Sequence, residues 1–258
     1  MRYYAPSFLF RRFEILRRVT NGDTFLEIGP GNLNLAVDLL RRFDRGVLVE
    51  LNPHARHSHN SLEYALRSRL DLVLADFSEL PTKTNQYDCV IACEVLEHVA
   101  DEEAFLAKAV SALRPGGQLV LSVPARMGRW NIDDEVAGHY RRYERASFIA
   151  LMQRCGLVDI TITGYGFPLV NALRVPRLFL ARLEYREMVK LSQKQRTETS
   201  SQITRGGLWK LLPLIVNPCT FYPLVTLTMF LDPLSTALDV SDGYVVVARK
   251  QRVSSVQP

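Results

Sequence analysis

Cysteine is scarce in this chain. Its 258 residues hold four, Cys89, Cys93, Cys155 and Cys219, and none forms a Cys-x-x-Cys pair. That excludes a disulfide-stapled scaffold and the paired-thiolate zinc and redox motifs. Free thiols fit a reducing, cytoplasmic setting. A secretory leader is not expected in the first residues, because Arg11 and Arg12 interrupt the apolar run too soon. No internal repeat is present, so a solenoid is excluded. Charge of one sign is not in large excess. A net +5 admits a polyanionic partner, an anionic membrane surface, or nothing special. With 47% hydrophobic and 23% charged residues, wholesale disorder is excluded, and the apolar mass suits one cored domain over 1–258 better than two.

What is present is an alternation of short apolar runs with helical periods. Residues 8–19 interleave Phe13, Ile15 and Leu16 with Arg11, Arg12, Arg17 and Arg18, which predicts a basic amphipathic helix within residues 1–20. Strands are expected at 25–28, 46–50, 70–75, 87–93 and 118–123, and helices at 35–43, around 61–69 and at 102–113. This βα order predicts a parallel sheet with helices on both faces. Residues 125–143 read as a polar loop, 147–155 as a helix, and 157–164 and 244–248 as strands. The core is thus placed at 24–165, a helical insertion at 167–238, and a polar tail at 249–258. Within the insertion, 193–204 is rich in Ser, Thr and Gln, and 208–231 is apolar enough to suggest a membrane span. Pro213, Pro218 and Pro223 would break such a span. A cap over the cleft or an interfacial patch is expected instead, with Arg174, Arg177, Arg182, Arg186 and Lys190 suited to anionic head groups. A buried helical subdomain with a solvated basic face is the plainer alternative.

Three features carry chemistry. Glu27-Ile28-Gly29-Pro30-Gly31-Asn32 is a strand end running into a glycine-rich turn, where the backbone can approach a ligand closely. A dinucleotide turn would carry a third glycine to seat pyrophosphate, but Leu33 and Asn34 stand at the helix entry. Glu50, at the end of the second strand, has the spacing of an acid that accepts from ribose hydroxyls; a solvated strand-end acid is the alternative. Asp76 follows the third strand, where it can accept from an adenine amino group with Phe77 against the ring, or simply cap a helix. A fourth segment holds Glu94, Glu97 and His98. On a helix these share a face as O/O/N donors, but a helix start with His98 packed on the sheet explains them without a metal, and no metal is expected.

The ordered set EIGPGN (27–32), VLVEL (47–51), LADF (74–77), YDCVIACEVLEHV (87–99) and LRPGGQLVLSVP (113–124) resembles the class I, seven-stranded S-adenosylmethionine-dependent methyltransferases. The resemblance is firm over about 24–123 and looser to 248. It implies a Rossmann-like α/β fold, mostly parallel with an antiparallel last strand, and S-adenosyl-L-methionine as cofactor. It places Glu27, Gly29 and Gly31 around the methionine part, Glu50 at the ribose, Asp76 at the adenine and Glu94 at the methionyl end. The sequence departs from the family at Leu33, where a third glycine often sits. Residues 130–143 resemble a subgroup found with bacterial glycan and lipid-linked sugar pathways. There His139 is the candidate base, and Trp130, Tyr140 and Arg141 are candidate acceptor contacts; alternatively His139 and Arg141 pin the loop. The expected function is methyl transfer to a hydroxyl or amine of a small-molecule, lipid-linked or sugar acceptor, with peripheral membrane contact as an associated possibility. A nicotinamide-dependent oxidoreductase is disfavoured by Asn34 and by the lack of a Tyr-x-x-x-Lys pair, and a non-catalytic binding protein by the intact acidic and glycine positions. Nucleic acid is not an expected partner, since no Asn/Asp-Pro-Pro-Tyr motif occurs.

Overall fold

The computed structural model describes residues 6–174, 178, 223, 226–228 and 232–252. Seven strands, β1 (Gly22–Ile28), β2 (Phe43–Glu50), β3 (Leu70–Leu74), β4 (Tyr87–Cys93), β5 (Leu113–Pro124), β6 (Leu157–Tyr165) and β7 (Gly243–Lys250), form one sheet. The order is β3-β2-β1-β4-β5-β7-β6. β7 runs antiparallel to both neighbours, β5 and β6, and the other pairings are parallel, as the family resemblance implied. The central strands are apolar on both faces because helices cover both. Alternate residues of β4 and β5 face opposite ways. Val90, Ala92, Leu119 and Leu121 join the core under α5 (Glu102–Ala112) and α7 (Arg145–Arg154). Cys89, Ile91 and Val120 join the core under α1 (Pro6–Arg18) and α2 (Asn34–Leu39). Strand order reverses between β1 and β4, so a crevice opens beyond their carboxyl ends.

Several boundaries differ from expectation. The helix expected over 35–43 stops at Leu39, because Phe43 is needed in β2, where it is buried against Phe25 with ring centroids 5.4 Å apart. The helix expected around 61–69 is two short ones, α3 (Ala55–Asn60) and α4 (Tyr64–Arg67). Residues 125–143 are not simply loop. They hold a 3-10 turn, Met127–Arg129, and α6 (Ile132–Ala137), closed by a capping box between Asn131 and Asp134. The buried side chains of α6 include Asp133 and Asp134, so no apolar period announced it.

α1 is not a free basic face. Phe10, Glu14 and Ile15 are buried, and burying an apolar side chain of this size stabilises the fold by about 1.5–3 kcal/mol. Its arginines are internal ties. Arg12 donates to Asp38 of α2 at 2.7 Å, Arg18 pairs with buried Glu14, and Arg11 reaches Glu94. Of the expected insertion at 167–238, only α8 (Leu169–Ala172), α9 (Asp232–Ala237) and a few single residues are described. α9 packs on β6, where Thr236 Oγ1 accepts from the Gly164 N–H at 2.7 Å. Residues 193–204, and 208–231 apart from 223 and 226–228, lie outside the described residues. Among the described residues, no helix is long and apolar enough to cross a membrane.

Candidate active site

A cleft of about 320 Å³ opens beyond the carboxyl ends of β1 to β4. Of the residues the sequence singles out, Gly29, Gly31, Glu50, Asp76, Phe77 and Glu94 line it. Gly29 (φ +71°) follows β1 and donates its N–H to the Val49 carbonyl at 2.9 Å. A Cβ there would lie 2.6 Å from Val95 Cγ2. At Gly31 (φ +55°) a Cβ would meet no atom of the described residues within 4 Å, so bare backbone faces open cleft. Leu33, where the family often has glycine, keeps a positive φ of 63° and buries its side chain completely. The left-handed conformation costs about 1–2 kcal/mol, offset by that burial, which explains how the turn survives without the third glycine.

Glu50 is oriented by two backbone donors, Gly31 N–H to Oε2 and Asn52 N–H to Oε1, each 2.9 Å. Each oxygen has a second lone pair, so the carboxylate can still accept from a diol. Asp76 accepts from the Ser78 N–H at 2.8 Å in a turn; it caps no helix. The Phe77 ring packs edge-on against Phe105, with centroids 5.3 Å apart. Glu94 sits at φ +55° just past β4. Its Oε1 accepts from Ser122 Oγ at 2.8 Å and Tyr165 OH at 3.2 Å and lies 3.4 Å from Arg11. Glu27 is buried on β1 and is not a lining residue. Burial, and then the nearby Glu50, push its carboxyl up to about 8, with Arg11 opposing. A carboxylate pre-set by backbone donors, an open glycine backbone and an apolar wall at Phe77, held by Phe105, fit an adenosyl ligand with a ribose diol and no phosphate.

A second constellation adjoins this cleft. The helical face expected for Glu94, Glu97 and His98 does not form, since Glu94 turns toward Arg11 and β5. Donor atoms of Glu97, His98 and His139 come together instead, all within 4.8 Å of one another. Burial, and then Glu94, raise the Glu97 carboxyl well above its usual range. His98 lines the cleft, and burial together with His139 lowers its ring to about 4. The two imidazoles meet edge-on, with centroids 4.7 Å apart. His139 Nδ1 lies 2.9 Å from Asp134 Oδ1, which also accepts from Arg142 Nε at 2.8 Å. Burial works against the Asp134 charge, yet these two partners hold its carboxyl below the usual range.

Trp130, His139, Tyr140 and Arg141 do not line the cleft. They sit on the segment after β5, which is sewn to the far wall: the Tyr140 N–H donates to the Glu97 carbonyl and Arg141 to the Ala100 carbonyl, both at 2.8 Å. Arg141 also pairs with Glu102 at 2.9 Å. Sequence reasoning missed Arg11, Asn52, Ser122, Asp134, Arg142 and Tyr165. Asn52 stands two residues after Glu50 and was within reach of the motif; the others join the site only through tertiary contacts.

A family model described as a methyltransferase domain matches residues 1–162. The chain is 29% identical over 126 residues to a human ubiquinone biosynthesis O-methyltransferase, a match covering 44% of this chain and 34% of that protein. It is 29% identical over 119 residues to a ubiquinone/menaquinone biosynthesis C-methyltransferase of Pseudomonas putida, covering 44% of this chain and 46% of that protein. The matched chain thus spans less than half the length of these curated relatives. A solved structure of Haemonchus contortus phosphoethanolamine N-methyltransferase 2 with S-adenosyl-L-methionine shares the fold, with a TM-score of 0.53, 18% identity, and coverage of 94% of this chain and 52% of that one. With the family model spanning the larger part of the sequence, and its strand-end motifs gathered around one cleft, the chain belongs to the class I S-adenosylmethionine-dependent methyltransferases.

Proposed function

We propose that the chain transfers a methyl group from S-adenosyl-L-methionine to a hydroxyl or amine of a small-molecule, lipid-linked or sugar acceptor. The observation that carries the reading is Glu50, held by the Gly31 and Asn52 backbone so that its carboxylate faces the cleft. Bound S-adenosyl-L-methionine supplies an electrophilic sulfonium methyl. The chain's part is to hold and align. Glu50 accepts from the ribose diol, Asp76 from the adenine amino group, and Phe77 walls the ring. Gly29 and Gly31 leave room for the methionyl part, and Glu94, with Glu27 beneath, accepts from its amino group. Alignment of this kind supplies much of the rate.

The acceptor is assigned to the segment after β5. Trp130, Tyr140 and Arg141 form its rim, and His139, backed by Asp134 and touching His98, takes the proton of a hydroxyl acceptor. Met127 and Tyr140 are both 45% exposed on this segment, which supports an acceptor with an apolar portion and, for a lipid-linked one, contact with a membrane surface. The test is incubation with methyl-labelled cofactor and fractionated lipids, sugars and quinones. Label should enter a lipid-linked sugar or small hydroxy or amino fraction. Binding of S-adenosylhomocysteine with no label in any fraction would remove the acceptor assignment, and failure to bind it would remove the activity.

A further inference from the structure

We propose that Glu97, His98 and His139 form a site for one divalent transition-metal ion on the acceptor side of the cleft. The donor set is one carboxylate and two imidazoles. Such O/N/N sets suit ions of the zinc and cobalt type, whereas magnesium and calcium prefer all-oxygen surroundings.

Four observations support the site. First, the three donor atoms already lie within 4.8 Å of one another. Second, His139 Nε2 and Glu97 Oε1 stand 3.9 Å apart. That is too long for a hydrogen bond, but two ligands bound at about 2.1 Å to a shared ion lie about 3–4 Å apart. Third, the Glu97 side chain is wholly buried and, among the described residues, neither oxygen accepts from another residue. A buried carboxylate left so is costly, and a cation supplies the missing partner. Fourth, the ring supports match those of metal-bound histidines. Asp134 engages Nδ1 of His139 and directs Nε2 toward Glu97, while Arg142 and the Asn131 cap fix Asp134 in turn. The Gly138 backbone hydrogen-bonds the His98 ring. Glu94 is not a ligand, being committed to Ser122, Tyr165 and Arg11.

Three protein ligands leave coordination positions for water or an acceptor oxygen, the form of a catalytic rather than a structural site. His98 lines the cleft, so an acceptor hydroxyl bound there can reach the ion. The ion then lowers the pKa of that hydroxyl, and its proton leaves to solvent. With the ion bound, the imidazoles act as ligands in place of the proton-accepting role given to His139 above. Metal binding is measured without cofactor or acceptor, so its failure is distinct from failure of the methyl-transfer reading.

The experiment strips the full chain with chelator and titrates it with Co²⁺ alone, following visible ligand-field absorption. One equivalent should bind. Glu97→Gln should lower Co²⁺ affinity at least about tenfold, and Asp134→Asn, acting through His139, by about 10–100-fold. Glu103→Gln, on the exposed face of α5 and paired with Arg154, should leave Co²⁺ affinity unchanged. S-adenosylhomocysteine binding on the same samples reports folding, and Glu97→Gln, which removes the ionisable oxygen at nearly constant volume, is the variant chosen to keep it. Absence of Co²⁺ absorption in the wild-type chain, or binding that Glu97→Gln leaves unaltered, overturns the site.

Discussion

The two halves of the cleft are built differently. Around β1 to β3, each functional group sits at a strand end and is held by backbone a few residues away, or by the neighbouring strand's turn: Gly31 holds Glu50, and Ser78 holds Asp76. Beyond β4 the groups are held by distant side chains. Arg11 of α1 and Tyr165 of β6 hold Glu94, and His139 of the β5 loop packs on His98. The first half follows from the topology of the sheet itself. The second depends on α1, β6 and the loop docking correctly.

The largest effect should separate ligand approach from folding. Gly29→Val places a branched side chain against Val95 at a positive φ, and binding of S-adenosylhomocysteine by calorimetry should vanish. Gly31→Ala adds a methyl that meets no atom of the described residues, so it should fold while losing cofactor affinity. Equal loss of folding in both would break the picture of an open glycine backbone. On the acceptor side, His139→Ala should lower turnover about 10²–10⁴-fold with cofactor affinity nearly unchanged. If melting temperature, cofactor affinity and turnover fall together, His139 only pins the loop. Glu50→Ala should weaken cofactor binding about 10–100-fold, the loss of one or two charge-assisted hydrogen bonds. Arg11→Met should lower the melting temperature by roughly 2–8 °C, since Glu94 then loses a charged partner. Combining it with Glu94→Gln should recover part of that loss; strict additivity would deny the coupling.

A separate effect, read in stability rather than in binding or turnover, is a pH dependence from Glu27. Its carboxyl is raised to about 8 in the folded chain from an ordinary 4.5. The folded state therefore keeps a proton that the unfolded state releases. Its contribution to stability is whole below about pH 4.5 and is lost as pH rises toward 8. Glu27→Gln should gain on the wild type steadily between pH 5 and 8 in thermal melts. A constant difference across that window would show that Glu27 is not held protonated.

Legibility in the sequence followed the same divide. Strands β1 to β5, and the cleft-lining residues Gly29, Gly31, Glu50, Asp76 and Phe77, could be read because short-range spacing specifies them. The surroundings of Glu94 could not, because Arg11 and Tyr165 lie 83 residues before it and 71 after it in the chain. α6 was read as loop because its buried positions include aspartates satisfied by caps and cations rather than apolar residues. The basic amphipathic helix expected within residues 1–20 is present as α1, but its ion pairs, Arg11, Arg12 and Arg18 with Glu94, Asp38 and Glu14, are a fact that periodicity does not encode.

The placement of β7 between β5 and β6 governs the order in which the chain can fold during synthesis. Among the described residues, β6 pairs in the sheet with β7 alone. β6 ends at Tyr165 and β7 begins at Gly243, so at about 5–20 residues per second β6 waits several seconds after its own synthesis. For that interval the nascent chain presents two unpaired strand edges, those of β5 and β6, with β5 apolar along most of its length. Chaperone demand should therefore concentrate on chains stalled between these two points, and ribosomes paused there should yield more aggregate than ribosomes paused before β5.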